Sequence, residues 1–532
     1  MAHQPVAGPS PGSFNRRQLL QAGGISALGL LVAACGRHLP AALDDRRPSG
    51  PPVDGGDLVF ATSMDIATLD PAFSKNVREK FALYALYNTL VGYDPDFNLV
   101  PELAESWDTS ADGKTLTFHL RRGVKFHDGT PFNADAVKWN LDRLLDKSTN
   151  SPLRGSLTPP LHTVRVVDDA TVALDLATAW RPLVAALGER PGFMVSPAAV
   201  RKYGRDYGVH PVGTGPFEFV SFTQDSELKL KRFAGYWDRG KVHLDTITLK
   251  NVPEQQVQLT MLRTGEAHIS DAVSPQLAIT VQSDPSVGIT RAPSGNWYAL
   301  QVDCSKPPFD KPQLRQAIAY ATNRDGVRNA IYQGQARVAT GPVGVGWAVD
   351  KSRSAPAYGY DLDKARQLVQ AAGAQGQAID YVNSSDSNYQ SIAQLLAGDY
   401  AKIGITLKVG TVPGSDYYDD VVAGKVNWSL TEWTPRADPD GLLRTLLHSK
   451  GSQNTTKYNN PKVDALLDQA AAISDQKEAA PLYAQIVQIV EKDAPYVFVI
   501  WPDLLVPHGA NLGGLTLYPD AIYRLRELWI GR

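Results

Sequence analysis

The chain has 532 residues, of which 43% are hydrophobic and 20% are charged, and its formal net charge is −2 at neutral pH. This length exceeds one ordinary hydrophobic core, so we expect a globular protein of two or three lobes. No stripe of lysine and arginine stands out along the chain, which argues against nucleic acid as a partner.

The first 34 residues are predicted to be an export signal. Arg16 and Arg17 precede an apolar, glycine-rich run that continues to Leu31, and small residues follow it. A charged start, an apolar stretch and small residues before a cleavage site characterise such signals. The run of about 17 residues is short for a membrane span. The paired arginines are similar to those of a twin-arginine signal. Export by the general route is the alternative, because the phenylalanine often found after them is missing.

Residues 32–35, VAAC, resemble a bacterial lipobox, which implies that cleavage leaves Cys35 as an acylated N-terminus. Cys304, the other of the two cysteines, then has no intrachain partner, so the core must hold this exported protein together. We interpret Cys304, which lies in a strand-like run, as a small core residue. Residues 35–56 are rich in proline, glycine and aspartate without periodicity, and this predicts a flexible tether.

The folded part is predicted to begin with a strand at 58–62. Residues 103–132 then carry two turn signals around a strand, and Asn133 is a predicted N-cap of a helix through Leu145. This stretch closely resembles the signature of family 5 extracellular solute-binding proteins, the dipeptide and oligopeptide receptors of ATP-driven importers. The resemblance continues along nearly all of the mature chain, in HPVGTGPF at 210–217, YW at 236–237, LRTGEA at 262–267, LRQAIAYA at 314–321 and YNNPKVD at 458–464.

The resemblance implies an α/β, two-lobed periplasmic-binding-protein-like fold of type II, with a hinge, a ligand cleft between the lobes and an extra subdomain on lobe one. We place lobe one at 57–300, its subdomain at about 91–209, lobe two at 301–502, and the return of the chain to lobe one at 503–532. The resemblance also implies a monomer that needs no cofactor and no metal. Such a protein would be lipid-anchored at the outer face of the cytoplasmic membrane and would deliver peptides or peptide-like small molecules to the permease and ATPase subunits of an importer.

Common catalytic motifs are missing. HExxH, GxxxxGK[ST] and CxxC do not occur in the sequence, and GxSxG is absent from the folded part. We therefore predict a protein that is not an enzyme, with a secreted hydrolase as a weak second class. Two alternatives on the same fold stay open. One is a receptor for a non-peptide ligand, such as a glutathione-like compound, an opine, a sugar or a metal chelate. The other is a sensory lipoprotein.

The stretch 428–449, WSLTEWTPRADPDGLLRTLLHS, is where we expect the ligand site. Residues 427–433 have the apolar and β-branched composition of a strand. Asp438 suits an N-cap, with Pro439 at the first helical position and leucines following at helical spacing. The pattern therefore predicts strand, turn and helix, and in an open α/β sheet such a turn faces the crevice where ligands bind.

This turn combines Trp433, which offers an aromatic face, with Arg436, a fixed cation, beside the N–H groups that begin a helix. The set suits an organic ligand with an anionic end. The alternative is that Arg436 pairs only with Glu432 or Asp438 and holds the turn.

Family members supply further candidates by position. The resemblance places ligand contacts in the first turn of lobe one, at Ser63 and Met64, in a loop of lobe two, at Asn383 and Ser385, and near the lobe crossing, at Trp297 and Tyr298. For the serines, ordinary turn chemistry is the alternative. Peptide receptors of the family often carry an aspartate shortly after the tryptophan of the Trp433 turn, where it pairs with the α-amino group of the ligand. Arg436 stands at about that place here, with Asp438 two residues on, which argues against the usual amino-end anchoring.

Overall fold

The computed structural model describes residues 45–63, 66–157 and 160–531. Within these ranges, strands β1 to β20 span Asp57–Thr62, Val91–Tyr93, Leu99–Pro101, Ala104–Thr109, Thr115–Leu120, Leu161–Asp168, Thr171–Leu176, Phe217–Thr223, Glu227–Arg232, Thr246–Asn251, Ile269–Ser270, Val287–Pro293, Trp297–Val302, Ala336–Val338, Ala378–Ser384, Thr406–Val412, Trp428–Trp433, Tyr496–Gly509, Leu512–Gly513 and Trp529–Ile530. Helices α1 to α14 span Glu79–Leu86, Ala134–Leu145, Pro182–Ala186, Pro197–Tyr203, Gln255–Thr264, Pro275–Val281, Pro312–Ala321, Arg324–Gly326, Leu362–Ala371, Ser387–Ala401, Gly414–Val422, Asp440–Leu447, Pro461–Ala472 and Gln476–Asp493.

The predicted export signal and Cys35 lie outside the described residues. None of the helices in the described ranges has the length and apolar character needed to cross a membrane.

One strand, β18, connects the two lobes. Its first half pairs with β13 and β14, and its second half pairs with β12 and β11. The chain also passes between the lobes at 294–296, from β12 to β13. The two passages lie side by side, because the Ser294 hydroxyl donates to the carbonyl oxygen of Pro502 at 2.6 Å. Adjacent crossing strands of this kind form a hinge in which a few residues absorb the motion of the lobes.

Lobe one contains β1 and β8 to β12 with the second half of β18, and lobe two contains β13 to β17 with the first half. The predicted boundary after Leu300 is wrong in detail, because it falls inside β13, whose six residues pair with β17. The passage at 294–296 marks the boundary instead. Trp297 and Tyr298 therefore belong to lobe two.

A small antiparallel sheet, in the order β4-β5-β7-β6, forms a subdomain with its own core. Alternation along β5 directs Leu116, Phe118 and Leu120 inward, and α2 covers this face. The predicted N-cap of α2 is confirmed, since the Asn133 side chain accepts from the Ala136 N–H at 3.1 Å. The core continues through the residues of α3, so the subdomain presents the segment around α3 towards lobe two.

The tether prediction is wrong for residues 45–56, which are fixed to lobe one. Arg46 donates to the carbonyl oxygen of Asp284, and Arg47 donates to that of Leu515 at 2.8 Å. The Gly55 N–H donates to the carbonyl oxygen of His243 at 2.8 Å. The composition of residues 45–56 indicated a coil. Hydrogen bonds to backbone groups of lobe one hold this segment in place, and composition alone does not predict such contacts.

His127 joins the subdomain to the segment that leads back into lobe one. Its Nδ1 accepts from the Gly213 N–H at 3.2 Å, so its Nε2–H donates to the carbonyl oxygen of Gly215 at 3.1 Å. Glycine is required here, because a Cβ at Gly213 would lie 2.2 Å from the carbonyl oxygen of Leu86. The neutral ring therefore satisfies two backbone groups at a close approach of chains.

We expect His127 to make the protein sensitive to acid. Burial disfavours the charged ring and lowers the pKa of His127 to about 4, below its ordinary value of 6.5. The unfolded chain then binds more protons between pH 6.5 and 4, so the free energy of unfolding should fall across this window, by at most about 3 kcal/mol. Urea unfolding of wild type and of His127→Gln at several pH values measures the effect. The same loss in both proteins would assign it to other groups, and His119→Gln is the matched control.

Candidate functional site

The predicted strand, turn and helix around Trp433 are confirmed. β17 ends at Trp433, residues 434–439 form the turn, and α12 begins at Asp440. The helix begins one residue later than predicted, because Pro439, expected at the first helical position, occupies the N-cap position that was expected for Asp438. The Asp438 carboxylate still accepts from the Asp440 N–H at 3.0 Å. Its role at the helix start is thus retained.

Arg436 does not pair with either acidic neighbour. Its Nη1 donates to the carbonyl oxygens of Thr434 and Pro435, both at 3.2 Å. Glu432 instead accepts from the Asn296 amide at 2.9 Å, and Asp438 pairs with Arg181. The interpretation of Arg436 as an ion-pair partner that holds the turn is therefore wrong. Its positive charge is left available to the space beside the turn.

That space is a cavity of about 820 Å³. One wall comes from the subdomain and its junction with lobe one, and the other wall comes from lobe two, from the turn, α12 and α13. The charged and aromatic lining side chains are Tyr93, Trp180, Glu189, Arg190, Arg436, Asp438, Asp440, Arg444 and Asp468. The cavity therefore lies between parts that a hinge motion would separate.

An ion pair of Lys80 and Glu189 lies beneath the first wall. Lys80 in α1 is 1% exposed and donates to Glu189, which is 8% exposed. Burial alone would raise the pKa of the Glu189 carboxyl, but the positive charges of Lys80 and Arg436 outweigh it and lower this pKa to about 2. Glu189 is therefore ionised, and its charge compensates that of Lys80.

Arg181, just before α3, holds the subdomain to lobe two. Its guanidinium pairs with Asp438 and donates to the carbonyl oxygen of Ile473 at 2.9 Å and to the Tyr483 hydroxyl at 3.2 Å. It also lies 4.7 Å from the centre of the Trp347 ring. Asp438 is thus engaged by the protein itself and is not a free anchor for a ligand amino group.

The two predicted tryptophans pack in the core of lobe two. Trp297 is 0% exposed, and its ring lies edge-on to Tyr496 and Phe498 at 5.7 and 5.2 Å. Trp433 is 7% exposed in the same cluster, which includes Leu442 and Leu443. Neither ring lines the cavity. They occupy the face of β13 and β17 that is covered by α12, α13 and α14, and their contact with a ligand stays a prediction.

The remaining candidates are dispersed. Ser63 binds Asp271 through both its N–H and its hydroxyl, at 2.7 and 2.8 Å, and Met64 lies outside the described residues. Asn383 is fully buried, Ser385 is exposed, and Tyr298 packs against Tyr332 and Tyr389. None of those described lines the cavity. Ser63 is thus held by a carboxylate that is distant in sequence, and its contact with a ligand stays a prediction.

The sequence reasoning missed Lys80, Arg181, Glu189 and Arg190. Lys80 directly precedes the apolar run FALYAL of α1, and this was a local signal, since a buried lysine requires a partner. Nothing local indicates that Glu189 supplies that partner. The described ranges contain no cluster of acidic, histidine or cysteine side chains suited to a metal ion.

Comparison with known proteins identifies the family. The profile of the bacterial extracellular solute-binding proteins, family 5 Middle, matches residues 98–454. The chain belongs to this family. The resemblance inferred from the sequence is thereby confirmed, and so is the prediction that this solute-binding protein is not an enzyme.

Individual relatives of this solute-binding protein bind different ligands. The glutathione-binding protein of Pectobacterium atrosepticum is 32% identical over 484 residues, which cover 88% of this chain and 93% of the relative. The periplasmic binding protein DppA of Helicobacter pylori, solved with the peptide STSA, superposes with a TM-score of 0.81 at 28% identity, covering 90% of this chain and 99% of that one. The binding protein AgaA of Agrobacterium tumefaciens R10 (A.tumefacien R10), solved with agropinic acid, gives a TM-score of 0.77 at 26% identity, covering 90% and 99%.

These comparisons also confirm the fold class. The solute-binding protein has the mixed α/β, two-lobed fold with an extra sheet subdomain. Its place of action is outside the cytoplasm, in the periplasm or at the cell exterior, as the family is extracellular.

Proposed function

We propose that the protein is the substrate-binding component of an ATP-binding-cassette importer, and that it captures a peptide or peptide-like small molecule in the cavity between its lobes. The observation that carries this proposal is the cavity of about 820 Å³ whose walls belong to opposite sides of a two-strand hinge. Cavities of about 300–1,000 Å³ accommodate small organic ligands. Relatives named for glutathione and for a bound peptide support the same ligand class.

Native mass spectrometry of protein purified without refolding tests the proposal. We expect a retained molecule with the mass of a short peptide or a glutathione-like compound. Thermal unfolding with a peptide library is the second readout, because a ligand that binds only the folded state stabilises it. No retained ligand together with no stabilisation by any peptide would contradict peptide capture. A retained non-peptide acid would support the second candidate, a receptor for an opine-like acid, which the likeness to the agropinic acid complex favours.

We also propose that a lipid anchors the protein to the membrane through Cys35. The support is the VAAC sequence at 32–35, which ends an apolar run. One acyl chain binds a membrane only weakly, so stable anchoring requires more than one. We expect Cys35→Ser to move the protein from the membrane fraction to the soluble fraction, with Cys304→Ser as the control that stays in place. Membrane fractionation that is unchanged in Cys35→Ser would contradict the anchor.

A further inference from the structure

Two guanidinium groups line the cavity from opposite sides. Arg190, on the lobe-one side, donates to the Ser74 hydroxyl at 3.0 Å and to the carbonyl oxygen of Asn76 at 2.6 Å. Arg436, in the turn of lobe two, donates to two backbone carbonyl oxygens. All of these acceptors are neutral. Within the described part of the chain, neither arginine forms an ion pair with a carboxylate.

The other charged side chains around the cavity are all in ion pairs, and together they carry one more negative than positive charge. Arg444 lies on the same lobe-two wall, but it pairs with Asp440 at 2.9 Å and with Asp468 at 2.6 Å. Lys80 pairs with Glu189 beneath the opposite wall. Arg190 and Arg436 therefore leave an excess of positive charge in this space. Burial lowers the pKa of Arg190, the charge of Glu189 opposes this lowering, and the charge of Arg436 adds to it. The two guanidinium groups are therefore near enough to repel each other.

We propose that Arg190 and Arg436 form a clamp that closes from the two sides on one carboxylate group of the ligand, which makes the protein selective for anionic peptide-like molecules. This inference rests on the proposed solute-binding function and names its ligand class. A guanidinium binds a carboxylate through two parallel hydrogen bonds. A carboxylate placed between the two guanidinium groups attracts both of them, and this attraction outweighs their mutual repulsion. Binding and closure are then coupled, because the ligand interacts with both lobes only when they are close.

A buried acceptor beside the clamp also points to a ligand. Glu189 lines the cavity, and its Oε2 accepts from Lys80. Its Oε1 is inaccessible to solvent and has no hydrogen-bond partner among the described residues. A buried acceptor without a partner costs free energy. Rotation of the Glu189 carboxylate towards the cavity would bring this oxygen to an N–H group of a peptide-like ligand next to the clamped carboxylate.

Calorimetric titration tests the clamp with a panel of di- to pentapeptides that includes glutathione, each prepared with free carboxyl groups and as the carboxamide. We expect the best acid to bind at least about a hundredfold more tightly than its carboxamide, as loss of one partner of a buried ion pair predicts. Arg190→Gln and Arg436→Gln should each abolish most of this difference. Their double variant should lose less than the sum of the single losses, because both contact one group. Arg190→Lys should recover little, since a point charge lacks the planar fork.

Arg366→Gln is the control, because it removes the same charge at an exposed site on α9, where Arg366 pairs with Asp363. It should bind the panel like wild type, and thermal unfolding of every variant checks folding. Equal affinity of wild type for an acid and its carboxamide would overturn the clamp and leave the proposed function standing. Wild-type selectivity in Arg190→Gln would overturn the role of Arg190. If no member of the panel binds to wild type, both the clamp and the proposed capture of peptides are contradicted.

Discussion

Replacing Arg181 with alanine should open the protein and weaken ligand binding by at least about a hundredfold. Arg181 and Asp438 are 9% and 5% exposed as side chains, and they join the subdomain to lobe two. Removing one partner of such a buried pair costs about 3–5 kcal/mol, since the other charge is left uncompensated. This cost destabilises only the closed arrangement of the lobes, because Asp438 becomes hydrated when the lobes open. The apparent affinity falls with the population of the closed state.

Small-angle scattering and calorimetry measure the two consequences. We expect a larger radius of gyration for Arg181→Ala than for wild type at saturating ligand, together with weaker binding. The double variant Arg181→Ala/Asp438→Asn should recover part of the affinity, because the uncompensated carboxylate is gone. Arg165→Ala is the control, since its pair with Asp175 lies on the exposed face of the same subdomain and such pairs contribute about 0–1 kcal/mol. An Arg181→Ala protein with wild-type dimensions and affinity would show that Arg181 does not hold the lobes together.

The local part of the site could be predicted from the sequence because its signals are short in range. The composition of β17, the break at Pro435 and the leucine spacing of α12 all lie within 22 residues. They defined a turn that does line the cavity, and they drew attention to Arg436. The sequence did not show in the same way which side chains of these strands point towards the ligand site. The sequence of β13, a central strand, does not indicate which of its two faces is covered by helices. Trp297 was therefore predicted to contact the ligand, although its ring lies in the core of lobe two.

The rest of the site depends on contacts between distant segments. Lys80 and Glu189 are 109 residues apart, and Arg181 and Asp438 are 257 residues apart. No periodicity or motif links such positions, because the first pair forms only when the subdomain packs against lobe one, and the second forms only when the subdomain packs against lobe two. The family resemblance predicted the lobes and the cleft. It did not predict which charged side chains meet at the cavity, because Arg436 was expected at about the place where peptide receptors of the family often carry an aspartate.

Replacing Lys80 with methionine should destabilise the folded protein by about 3–5 kcal/mol. Methionine is close to lysine in volume and can fill the space in α1, so the main loss is the positive charge. Glu189 then has no partner for its buried carboxylate, and burial of an unpaired charge is among the largest single costs in a folded protein. Urea unfolding followed by both circular dichroism and tryptophan fluorescence measures the change, since agreement of the two probes tests for a single transition.

The double variant Lys80→Met/Glu189→Leu distinguishes the contribution of the Lys80 charge to stability from the contribution of its packing. Replacing both partners of a buried ion pair by apolar groups is often neutral or stabilising, so we expect the double variant to recover most of the stability lost in Lys80→Met. Lys425→Met, which breaks an exposed pair with Asp420, should change the stability by less than about 1 kcal/mol. A double variant as unstable as Lys80→Met would mean that the lysine contributes through packing. Recovery would establish that the wall beside Arg190 is stable only when the charge of Glu189 is compensated, so that Lys80 and Glu189 together add no net charge at the cavity.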